Sequence, residues 1–318
     1  MEKLDVYLSG IESVAISGHV RPDGDCTGSC LAVYNYICRY FPQIEADLFL
    51  EPIQNVFRFL ANSEKINSDY DRQRKYDLFI ALDCGDLKRL GDAAKYFETA
   101  KKTLCIDHHI SNASFADVNY IEPEASSTSE LIYGLMEEKK ITKEIAECIY
   151  VGLVHDTGVF QYSCTSAKTM RIAGRLMESG IDFSKIVDDT FYSKTFAQNK
   201  ILGKALLNSE LYLNGKVIAG VVTEEEMAEF GVSPKDLDGI VSQLRVTKGI
   251  ETAVFLYQSS EKEYKVSMRS NGTVDVAAIA VAFGGGGHVR AAGATMEGSR
   301  EKILERLLEK IKEQSGNV

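Results

Sequence analysis

Five short segments concentrate the residues able to hold a cation or move a proton. They are His19-Val20-Arg21-Pro22-Asp23-Gly24-Asp25, Asp83 closing the apolar run Leu78–Leu82, Asp107-His108-His109, His155-Asp156, and Gly284-Gly285-Gly286-Gly287-His288. Each alone is more often a chance cluster than a site. All five histidines of the chain nevertheless fall inside them, with none spent elsewhere. Mixed imidazole and carboxylate donors suit Mn²⁺, Mg²⁺, Co²⁺ or Fe²⁺ better than a thiolate zinc site. A carboxylate such as Asp83 can bridge two such ions about 3.5–4 Å apart, the usual separation in two-metal hydrolases. The implied chemistry is metal-assisted hydrolysis, with His19, Asp23, Asp25, Asp83, His108 and Asp156 as candidate ligands. For His155, packing or hydrogen bonding is the expected role.

The glycine run and Arg269 suggest a second kind of chemistry. Consecutive glycines let backbone N–H groups approach an anion closely, and an arginine ending a strand can clamp a phosphate bidentately. Gly285, Gly286, Gly287, His288 and Arg269 are therefore the candidate substrate-binding residues. A flexible surface loop and a solvated arginine are the bland alternatives. Cys26, Cys84 and Cys105 lie beside the motifs, but hard cations prefer oxygen and imidazole, so these read as small core residues.

The elements around the motifs indicate how they could be positioned. Strand-like runs at Val14–Ser17, Ile44–Leu50, Asp77–Asp83 and Thr103–Asp107 alternate with helical spacing at Leu31–Tyr40 and Gly91–Lys101. That rhythm predicts an α/β fold with a doubly wound, mainly parallel sheet. The carboxyl ends of such strands share one edge, where ligands bind, and the motifs fall at those ends. Gly24 is expected to let the backbone turn sharply so that His19, Asp23 and Asp25 converge. Ser127 to Glu130 has capping-box spacing and opens a helix to Lys139; helices at Thr142–Val154 and Ser166–Ser179 follow. Residues 188–207 read as a linker. After Asn208 the pattern changes to a hairpin at Asn214-Gly215, an antiparallel pair over 251–258 and 263–269, and a helix over 301–313. This predicts a smaller mixed-sheet domain.

Bulk properties narrow the partners. A 318-residue chain can build two cores, and a net charge of −10 argues against tracking long duplex nucleic acid. No apolar run is long enough to cross a bilayer, and Met1–Ile11 lacks the order of a secretory signal. Seven cysteines without paired short spacings argue against a disulfide framework or zinc ribbon. The cytoplasm is the expected compartment, with no membrane partner; a homodimer is left open.

Together the motifs resemble the DHH phosphoesterase superfamily, in its DHH–DHHA1 subgroup of nanoRNase and pAp phosphatase enzymes. His19-x-x-x-Asp23-x-Asp25, Asp83, Asp107-His108-His109 and Asp156 are similar to its four metal motifs in order. Arg269-Ser270 and Phe283–His288 with Ala291-Ala292-Gly293 are similar to its DHHA1 signature. The resemblance implies a catalytic domain over 1–187, a substrate-binding domain over 208–318, and a cleft between them. It implies two divalent ions, Mn²⁺ first and Mg²⁺ or Co²⁺ as alternatives. One would take His19, Asp23 and Asp83, the other Asp25, Asp83, His108 and Asp156. Catalytic roles fall to Asp83, to His109 facing substrate, and to Asp107 orienting its neighbours. Asn271 departs from the basic residue many members carry after Arg-Ser. The implied substrates are short single-stranded RNA and 3′-phosphoadenosine 5′-phosphate (pAp). Linear or cyclic dinucleotides, pyrophosphate or polyphosphate, and a non-catalytic nucleotide-binding role are the alternatives.

Overall fold

The computed structural model describes residues 2–315, and the chain divides into two compact units at Ser193/Lys194. The first contains α1 (Leu4–Leu8), β1 (Ser13–Ser17), α2 (Gly24–Tyr40), β2 (Glu45–Phe49), β3 (Leu78–Leu82), α3 (Ala94–Thr99), β4 (Thr103–Asp107), β5 (Val118–Ile121), α4 (Thr128–Leu135), α5 (Lys143–Asp156), α6 (Ala167–Glu178) and α7 (Phe183–Val187). Its five strands are all parallel in the order β2-β1-β3-β4-β5. The order reverses between β1 and β3, the switch point where doubly wound sheets bind ligands. Period-two alternation covers both faces. Val14, Ile16, Leu78, Ile80 and Leu82 pack on the side of α2, α4 and α5. Ala15, Phe79 and Ala81 pack on an aromatic cluster in which the Phe49 and Tyr96 rings stack 4.3 Å apart.

The second unit contains α8 (Phe196–Leu207), β6 (Glu210–Tyr212), β7 (Val217–Val222), α9 (Glu224–Phe230), α10 (Ile240–Arg245), β8 (Thr252–Ser260), β9 (Glu263–Ser270), α11 (Val276–Ala282), β10 (Gly286–His288), β11 (Ala291–Glu297) and α12 (Arg300–Ser315). Its six-stranded sheet, β10-β11-β9-β8-β7-β6, is mixed: β7 and β8 are parallel, the other neighbours antiparallel. Val254 and Leu256 face α11 and α12, whereas Ala253 and Phe255 face α8, α9 and α10. Helix α8 lies within the segment expected to be a linker. Thr195 caps it, Ile201 and Ala205 are buried in the second core, and Leu202 and Leu206 pack against it.

Several local expectations need correction. Helix α2 begins at Gly24, not Leu31, because Oδ1 of Asp23 accepts the N–H groups of Asp25 and Cys26 as an N-cap. Gly24 is thus the first helical residue, not a sharp turn; a Cβ there would lie 2.3 Å from Cγ of His155. Helix α4 stops at Leu135. Ser127 caps it through the Glu130 N–H, but Glu130 instead accepts from Ser126, Thr169 and Lys168, so the box is only half made. The glycine run is only part loop: Gly284 and Gly285 connect α11 to edge strand β10, which Gly286–His288 form on β11.

Candidate active site

Three loops leaving the carboxyl ends of β1, β3 and β4 deliver His19, Asp83, and Asp107 with His108 and His109. Helix α2 brings Asp25 in its first turn, and α5 brings Asp156 in its last. Asp83 has a φ of 53°, a left-handed setting that Asp tolerates better than most residues. Its two oxygens then face different histidines. Oδ2 lies 3.5 Å from Nε2 of His19, and Oδ1 lies 3.6 Å from Nε2 of His108. Nε2 of His19 is also 3.5 Å from Asp23, and Nε2 of His108 is 3.0 Å from Asp156. The donor atoms of Asp25, His108 and Asp156 lie within 4.8 Å of one another, as do those of Asp83, His108 and His109.

The backbone fixes which ring nitrogen faces the site. Nδ1 of His19 donates to the Val20 carbonyl at 2.9 Å, and Nδ1 of His108 to the Ala125 carbonyl at 3.4 Å. A carbonyl can only accept, so Nδ1 carries the proton and the Nε2 lone pair is left to face the site as a metal ligand in both neutral rings. Nδ1 of His109 pairs with Asp107 at 2.7 Å, which turns its Nε2 away from that carboxylate. Asp107 is fully buried, and its oxygens also accept the His108 N–H and the Asn112 amide. All its geometry serves its neighbours. His155 joins neither group: its ring packs edge-on against Phe57 and Phe191, touches Thr190 at 3.1 Å, and burial lowers its pKa to about 4.

Electrostatics mark the cluster as a place for positive charge. Burial alone would lower the His19 pKa, but hydrogen bonds to Asp23 and Asp83 raise it to about 12. For His108 burial is likewise outweighed, chiefly by Asp156, giving about 10. Burial and the nearby Asp83 and Asp156 carboxylates push Asp25 well up, and burial lifts Asp156 to about 6. Burial and crowding disfavour the ionised forms of Asp25 and Asp156, with His108 as the offsetting charge. A divalent cation would serve better. The imidazole–carboxylate donor set therefore fits hard or borderline divalent ions. Cys26 also lies within 4.8 Å of the His19 and Asp83 donors, but burial and Cys30 push its thiol well up, in keeping with a core residue.

Four supporting residues escaped the sequence reading. The N–H groups of Thr128 and Ser129, at the start of α4, donate to the two oxygens of Asp25 at 2.7 and 2.9 Å. The Thr128 hydroxyl donates to Asp83 at 3.0 Å. Gly152 leaves room for this arrangement, since a Cβ there would sit 2.0 Å from Oγ of Ser129 and 2.5 Å from Asp25. Asn112 is the fourth. The only sequence signal was the cap-like Ser127-Thr128-Ser129, which marked a helix start but not what it served.

Arg269, Gly285, Gly286, Gly287 and His288 group separately in the second unit. Register aligns Arg269 of β9 with Ala291 of β11, and Ala291 with His288 of β10. Directly paired residues share a sheet face, so Arg269 and His288 flank one small alanine. Packing explains two of the glycines: a Cβ on Gly285 would lie 2.1 Å from the Gly293 carbonyl, and one on Gly287 2.5 Å from that of Ala291. Gly286 has open space around it.

A doubly wound domain with an imidazole–carboxylate cluster at its strand ends has the make-up of a metal-dependent hydrolase, and known proteins specify it further. Residues 13–153 match the DHH family, N-terminal domain, and residues 214–316 match the DHHA1 domain. The chain belongs to the DHH family of phosphoesterases. It is 29% identical to the bifunctional oligoribonuclease and PAP phosphatase NrnA of Thermus thermophilus, over 96% of this chain and 92% of that protein. With the protein of the same name from Bacillus subtilis it shares 27% identity over 91% of each chain. The crystal structure of an exopolyphosphatase-related protein from Bacteroides fragilis superposes with a TM-score of 0.90 at 26% identity, covering 97% of this chain and 94% of that one. No helix among the described residues is long and apolar enough to cross a membrane.

Proposed function

We propose that this chain hydrolyses short oligoribonucleotides to mononucleotides and removes the 3′-phosphate of pAp, using two divalent cations, Mn²⁺ first. The observation that carries the reading is Asp83, whose two oxygens face His19 and His108 separately and so suit a shared ligand. His19, Asp23 and Asp83 would hold one ion; Asp25, Asp83, His108 and Asp156 the other. When bound, such ions lower the pKa of water and neutralise charge on a phosphate. The names of the relatives from Thermus thermophilus and Bacillus subtilis support the substrate class.

The remaining residues act directly. His109, steered by Asp107, offers Nε2 as proton donor to the leaving oxygen. Arg269 and His288, with the exposed backbone at Gly286, hold the part of the nucleotide that does not react. We assign catalysis to residues 1–187 and substrate holding to 208–318. Seven free cysteines, five of them buried, fit a reducing cytoplasm. The test incubates the protein and Mn²⁺ with labelled di- to pentaribonucleotides, pAp, cyclic dinucleotides, pyrophosphate and polyphosphate. Mononucleotide release and pAp dephosphorylation are expected. No turnover of either, or much faster turnover of another member of the panel, overturns the reading.

A further inference from the structure

Strand β9 ends on Arg269-Ser270 and runs into a turn at Asn271-Gly272, on which two more arginines close from other elements. Oδ1 of Asn271 accepts from Nη1 of Arg245 at 2.7 Å, while its amide donates to the carbonyls of Arg245 and Ile250 at 3.0 and 3.2 Å. Nη1 of Arg290, in the β10–β11 turn, donates to the Gly272 carbonyl. Arg245 and Arg269 share a side of the sheet. Ile240, Val241 and Leu244 of α10 pack on the face bearing Ala253, and Ala253 pairs directly with Arg269. His288 belongs to that face through Ala291.

No ion pair joins Arg245 or Arg290 to a carboxylate among the described residues. Both guanidinium groups donate instead to neutral oxygens, so their charge stays available to an anion. A guanidinium presents several donors in one plane. Nη1 of Arg245 is engaged by Asn271, which orients the fork without neutralising it.

We propose that Arg245 is a substrate-specificity residue, a second guanidinium that grips the non-reacting phosphate of a nucleotide beside Arg269, with Asn271 as its positioning residue. The proposal rests on the nucleotide-hydrolase reading above. Two guanidinium groups on one phosphate match its charge and its several acceptor oxygens.

Calorimetric titration of the intact protein with pAp in EDTA tests this, because no metal-held phosphate then contributes. Wild type should bind pAp, and Arg245→Ala should weaken binding about tenfold, the scale of a lost charge-assisted hydrogen bond. Arg245→Lys should recover part of the loss. Binding of adenosine, which has no phosphate, should stay within about twofold. With Mn²⁺, Arg245→Ala should raise KM for pAp while kcat stays within about twofold, a loss of uniform binding. Unchanged pAp affinity in Arg245→Ala, an equal loss for adenosine, or no pAp binding by wild type in EDTA would overturn the proposal. Absence of Mn²⁺-dependent hydrolysis alongside an Arg245-dependent pAp affinity would overturn only the hydrolase reading.

Discussion

The candidate metal cluster of the first unit and the proposed phosphate-holding group of the second are built on different plans. Asp25, Asp83, Asp107 and His19 are almost wholly buried, and each is held by at least one backbone or side-chain partner. In the second group His288 and Asn271 are exposed, and Arg245 and Arg269 are only half-buried. Crowded charges need such over-determination, because a buried polar group without partners is costly. A group that only grips a substrate can stay solvated until the ligand arrives. Under the proposed function, the contrast would separate making the bond break from choosing whose bond it is.

If that division is right, changes in the first unit should remove turnover and changes in the second should alter affinity or local stability. Asp83→Ala carries the largest expected effect. It should lower kcat by more than about 10³-fold, since both ion positions lose a ligand. Steady-state assays with Mn²⁺, paired with metal titration showing weaker binding, check it; near-normal kcat would refute the shared-ligand role. Asp107→Asn should act through His109 and cost about 10–100-fold in kcat, with KM little changed. A rise in KM alone would mean that Asp107 serves substrate binding instead.

Smaller effects should come from the glycine run. Gly285→Ala forces a Cβ against the Gly293 carbonyl and should destabilise the second unit by about 1–3 kcal/mol. Gly286→Ala meets nothing and should change stability by less than about 0.5 kcal/mol. Denaturant melts of the two variants make the comparison. Equal destabilisation would show that the run is not packed as described; a raised KM in Gly286→Ala alone would mark its backbone as substrate-facing.

The legible parts of the molecule were those in which side-chain type carries the signal. Strands β3 and β4 are fully buried apolar runs that end in Asp83 and Asp107, so the sheet and the donors at its edge could both be read. Strand β5 was not, because Val118–Ile121 is half-buried throughout and offers no such run. Strand β10 was hidden by its glycines, whose pairing is imposed by β11 from the far side of the turn. The supports of Asp25 were hidden for a different reason. They are backbone N–H groups of Thr128 and Ser129, more than a hundred positions away in sequence, and every residue but proline has one.

The double duty of Asp25 has a consequence for the protein's lifetime. One carboxylate both stops the leading end of α4 and faces His108 and Asp156. An ion held there by the folded chain alone would add its binding energy to folding. At a free concentration a hundred times the dissociation constant, that linkage is worth about 2.7 kcal/mol. Energies of this size change abundance several-fold under cellular quality control. On the proposed two-cation reading, chelation should therefore lower the stability of the molecule as well as its activity.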